Sequence, residues 1–95
     1  MINLQKAIQL AQEYKEKEFE KNYELLAYDE LSGAYIFLCA ARDSISDGYV
    51  ITVNKDNGVI SKKIIIEFFK QTQGYDIDFK ELPNQEKVVA NLFGF

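Results

Sequence analysis

The chain contains no histidine and no tryptophan, and only one cysteine, one proline and one methionine in 95 residues. Without histidine it lacks the commonest general base and the commonest metal ligand. A single cysteine forms no internal disulfide, and with no histidine beside it completes neither a zinc site nor a Cys–His nucleophile. Cys39 stands inside the apolar run from Ala34 to Ala41, which predicts a small buried hydrophobe rather than a redox centre. That run is also the longest apolar stretch, well short of the roughly 18 residues that suggest a membrane span. Met1-Ile2-Asn3-Leu4 has neither the basic patch nor the apolar core of a signal peptide, so a cytoplasmic location is expected. Gly33, Gly48, Gly58, Gly74 and Gly94 stand singly as local punctuation, and no glycine-rich phosphate cradle is present. Asn54-Lys55-Asp56-Asn57-Gly58 lacks the alternating ligands and closing glutamate of a calcium loop and reads as a hairpin turn. The one local pair of acids that carboxylate catalysis could use is Asp43 and Asp47, and a solvated loop explains both. No catalytic residue, metal site or cofactor is expected.

What is present is an ordinary globular composition, 47% apolar with six tyrosines and seven phenylalanines. With no tryptophan and one methionine, most of these aromatics must fill the interior. The length allows one domain, residues 1–95, with no room for a second core. The net charge of −4 is unevenly spread: residues 1–22 cancel, while residues 23–48 hold Glu24, Asp29, Glu30, Asp43 and Asp47 against Arg42 alone. Residues 49–72 are net positive. An acidic middle argues against nucleic acid, whose phosphates call for clustered Lys and Arg, and suits a basic protein surface.

Periodicity predicts an α+β fold. Asn3 is placed to cap a helix whose stripe is Leu4, Ala7, Ile8, Ala11 and Tyr14, continuing as a charged extension to about Lys21. From Tyr23 the period changes, and 23–30, 34–42, 49–54 and 59 onward read as strands. Ser32-Gly33 and Asp56-Asn57-Gly58 place glycine where a short hairpin wants positive φ. Such short connections predict an antiparallel meander of three or four strands, because parallel strands need long crossovers. In the second strand Tyr35, Phe37 and Cys39 face one side and Ile36, Leu38 and Ala40 the other, so both faces need a cover. The helix supplies one; a C-terminal segment or a second chain must supply the other. Residues 64–72 carry β-branched Ile64-Ile65-Ile66 yet fit a helix capped by Ser61, stopped by Gly74 and apolar along Ile64, Ile65, Phe68 and Phe69. The helix is the favoured reading. Tyr75, Ile77 and Phe79 alternate as in an edge strand or extended arm, and Asn84 starts a last helical turn bearing Val88, Val89, Leu92 and Phe93.

These absences favour a binding module over an enzyme. The candidate partner residues are Asp43, Ile45 and Asp47 in the longest polar loop, and Tyr28, Tyr35 and Tyr49, which form a binding surface if they line an open sheet face. The N-terminal helix, the aromatic strand Tyr35-Ile36-Phe37, the acidic loop and the hairpin Tyr49 to Ile60 resemble the immunity protein 35 type of bacterial polymorphic-toxin systems. That resemblance covers about residues 3–60 and implies a protein that neutralises a cognate toxin without catalysis; it transfers no functional residue. The strand–Asn-Lys-Asp-x-Gly–strand hairpin also looks like the repeating element of PepSY-like domains, which implies the alternative of a homodimeric structural or regulatory domain.

Overall fold

The computed structural model describes residues 1–72 and 77–83. Helix α1 spans Leu4–Glu18, and its first turn is closed by the Asn3 side chain, which accepts from the Lys6 N–H at 2.9 Å. It stops three residues earlier than the expected Lys21. Phe19 turns extended and its ring joins a cluster, 5.4 Å from Tyr23 and 4.9 Å from Tyr49. Aromatic burial therefore ends the helix where charge alternation alone would let it run on.

Four strands follow, β1 (Tyr23–Glu30), β2 (Ala34–Ala41), β3 (Tyr49–Asn54) and β4 (Ile60–Ile64), in the antiparallel order β1-β2-β3-β4. The meander is the one expected. The β3–β4 hairpin is built by side chains of its own turn. Asn54 Oδ1 accepts from the Asp56 N–H at 2.8 Å, and Asn57 Oδ1 from the Val59 N–H at 2.9 Å. Gly58 takes φ 72°, which costs other residues strain. Gly33 departs from expectation: its φ is not positive, and a Cβ there would meet nothing within 4 Å. That hairpin closes on the Leu31 N–H bond to the Ala34 carbonyl at 2.8 Å instead. In β1 a bulge at Leu26 shifts the register, so that Leu25 and Tyr28 both join the face of Cys39 and Phe37.

Both faces of the sheet are covered. On one, Ala7 and Ala11 of α1 lie over Leu25, Phe37, Cys39, Ile51 and Val53, and the small alanines let the helix sit close. On the other, Ile36 and Val50 pack under helix α2 (Ile65–Gln71) and the segment around Ile77 and Phe79. The helix expected in 64–72 is present, but Ser61 does not cap it. Ser61 lies in β4, and the Ile65 N–H bonds the Gly48 carbonyl at 3.1 Å, which sets where the helix starts. Lys80 pairs with the outer side of β1 through two backbone bonds with Tyr28, of 2.9 and 2.7 Å, as an extended arm would. Tyr75 and the last helical turn expected after Asn84 lie outside the described residues. Among the described residues, no helix is long and apolar enough to cross a membrane.

Candidate functional site

The 42–48 connection between β2 and β3 is held by its own backbone. The Ser44 N–H bonds the Ala41 carbonyl at 3.0 Å and the Gly48 N–H bonds the Ile45 carbonyl at 3.0 Å, winding Ile45–Asp47 into one 3₁₀ turn. Ser44 Oγ donates to Asp47 Oδ2 at 2.7 Å. Gly48 is there for space: a Cβ would lie 2.4 Å from Ala40 Cβ and 2.6 Å from the Cys39 carbonyl oxygen. The tight passage presses the turn against the end of the sheet and turns Ile45 outward, 46% exposed.

Electrostatics single out the same turn. Of the five acids in 23–48, three are paired: Glu24 with Arg42 at 2.8 Å, Asp29 with Lys80 at 2.9 Å and Glu30 with Lys55 at 2.6 Å. Among the described residues Asp43 and Asp47 make no ion pair, and both are exposed. Within residues 23–48 the acids left without an ion pair are thus two carboxylates flanking one exposed isoleucine. Asp29 is the opposite case. Its burial would raise its pKa, but bonds from Lys80 Nζ and from the Asp78 and Glu30 N–H groups outweigh that and hold its carboxyl below the ordinary value.

The 45–47 turn touches α2. Ile65 and Phe68 of that helix point into the core, leaving Ile66 57% and Phe69 44% exposed. Sequence periodicity had put Ile64 and Phe69 on the packed side; the bond from Ile65 to Gly48 rotates the helix, and both lie outside. Phe69 is held edge-on between Phe68 and Phe79, with ring centroids 5.7 and 6.3 Å away. Beside it Ile65, Ile66 and Lys70 complete a shallow depression of about 420 Å³. Ile66 stands off the apolar side read from the sequence, and its exposure agrees with that reading.

The tyrosines do not form an open surface. Tyr28, Tyr35 and Tyr49 share the face that α1 covers. Tyr35 is buried, with Lys55 Nζ 4.9 Å from its ring centroid. Tyr49 is half-buried against Phe19, and Tyr28 is half-buried with Lys80 Nζ 6.0 Å from its ring centroid. A second depression, about 620 Å³, lies where α2 stops short of the β1–β2 hairpin, with Leu31, Ala34, Phe68 and Ile77 among its walls.

Cys39 is fully buried, and burial pushes its thiol up to about 11 against a small opposing pull from Lys15. Little thiolate exists at neutral pH. Among the described residues, no group of three or more His, Cys, Asp or Glu side chains is placed to hold a metal ion. Comparison with protein-family models, with curated proteins and with solved structures finds nothing that matches this chain.

Proposed function

We propose that this protein is a non-catalytic protein-binding module that meets a basic partner surface through the 43–47 loop and the adjoining outer side of α2. The observation that carries the reading is the pairing pattern of the acids. Three of five are neutralised within the fold, and the two left over flank the exposed Ile45. Ile66 and Phe69 extend the apolar area on an element in contact with that turn. An apolar centre with acids at its rim is the anatomy of a protein interface, with the anchors slowing release and the charges speeding encounter. Neutralisation of a bacterial toxin domain is the use that the immunity-protein resemblance implies.

The test uses a partner purified with the tagged protein from its host. Ile45→Ala and the double variant Ile66→Ser/Phe69→Ser should raise the dissociation rate by about tenfold or more, as loss of interface anchors does. Their melting temperatures should stay near that of the parent, because exposed positions change stability by about 0.5 kcal/mol or less. Unchanged dissociation with an intact fold would remove this surface from consideration.

A further inference from the structure

The two edges of the sheet are not equivalent. The outer side of β1 is engaged by Lys80, whereas β4 ends the sheet and no described element pairs with its outer side. The phase of the β3–β4 ladder sets which backbone groups turn away from β3. At its ends the Asn54 N–H bonds the Val59 carbonyl at 2.9 Å and the Ile65 N–H bonds the Gly48 carbonyl at 3.1 Å. Antiparallel ladders alternate, so Val59, Ser61, Lys63 and Ile65 face β3, and the N–H and C=O groups of Ile60, Lys62 and Ile64 point outward. Edge lysines usually blunt such an edge by projecting charge beside it. Here both are drawn onto the faces. Lys62 Nζ lies 5.0 Å from the Phe19 ring centroid and 5.3 Å from that of Tyr49, and Lys63 Nζ donates to Gln71 Oε1 on the opposite face.

We infer that β4 pairs antiparallel with β4 of a second copy of this chain, about a two-fold axis through Lys62. The outward residues read Ile60-x-Lys62-x-Ile64, the same in either direction. In this register Ile60 lies opposite the partner's Ile64 and Ile64 opposite the partner's Ile60, so Ile64, 41% exposed, gains an apolar neighbour twice over. Ser61 faces the partner's Lys63, and the one like-charge pair, Lys62 with the partner's Lys62, has each ammonium held over its own aromatic rings. The product is a continuous eight-stranded sheet built from two four-stranded ones. The pairing is independent of the 43–47 loop.

Sedimentation over a concentration series, with three variants, tests it. Lys62→Pro removes an N–H that β3 does not use, at an edge position where proline is tolerated, so the fold stays intact while self-association weakens by about tenfold or more. Lys62→Glu mixed with the parent chain forms a heterodimer about two- to fivefold tighter than either homodimer, from the opposite-charge pair it creates. Lys62→Cys cross-links to itself on oxidation, because hydrogen-bonded antiparallel residues sit about 5.5 Å apart at Cα, within disulfide reach. Ser61→Cys, which faces the partner's Lys63, does not. A parent chain that stays monomeric up to about 1 mM would overturn the inference. So would a dimer that a folded Lys62→Pro leaves intact, or one that cross-links through Ser61→Cys instead.

Discussion

The two faces of the sheet are covered to different depths. One lies under the 15 residues of α1, and its Phe37, Cys39, Ile51 and Val53 are fully buried. On the other, Ile36 and Val50 are as fully buried, but the cover is the seven residues of α2 and the segment around Phe79, with Ile66 and Phe69 left outside and a depression where the helix ends. A small domain has little apolar burial to spare, so the deeper face carries most of the stability. The thinner face is where apolar groups remain available to another molecule.

The sharpest way to break this contrast is truncation on each side. Phe37→Ala should cost about 3–5 kcal/mol, as loss of a fully buried aromatic does. Phe68→Ala, on a residue still 7% exposed beneath a short helix, should cost clearly less in the same denaturant titration. Equal losses would mean that α2 is as integral to the core as α1.

The next effect concerns the passage between the faces at Gly48. Gly48→Ala drives a methyl into Ala40 and the Cys39 carbonyl, an overpacking of about 1–3 kcal/mol. A melting curve unchanged by that substitution would show that the 42–48 connection yields easily, and would weaken the claim that it presents Ile45 in a fixed place.

These two predictions also mark what could be read from the residues alone. The strands were legible because Tyr, Ile, Val and Phe cluster between turn-forming Ser32-Gly33 and Asp56-Asn57-Gly58. The need for two covers was legible because Tyr35 to Ala40 is apolar on both sides. The rotation of α2 was not. Ile64, Ile65 and Ile66 are chemically alike, and the choice among them is made by the Gly48 carbonyl, 17 residues earlier in the chain. Nor could the sequence show which acids remain unpaired. Glu24 finds Arg42 across 18 residues and Asp29 finds Lys80 across 51, separations at which adjacency is a property of topology. Asp43, Ile45 and Asp47 stood out by their loop; the exposure of Phe69 needed the helix phase.

A smaller effect is expected at Asp29, under the other cover of β1. The depressed Asp29 carboxyl ties residues 78 and 80 to β1. Its contribution to stability is present above the unfolded carboxylate pKa of about 3.9 and is lost as pH falls through the lower folded value. The melting temperature should therefore drop below about pH 4, and Asp29→Asn should lose that part of the pH dependence. The same variant should be cut sooner by trypsin after Lys80. A pH profile identical in the two proteins would detach the 77–83 segment from Asp29.

In the proposed function the two unpaired acids beside Ile45 guide a basic partner onto the thinly covered side. The most direct measurement is the association rate of Asp43→Lys/Asp47→Lys with the purified partner at low and high ionic strength. The rate should fall by about tenfold or more at low salt, with a flattened salt dependence and an unaltered melting temperature. An association rate equal to that of the parent at both ionic strengths, in a folded double variant, would contradict it.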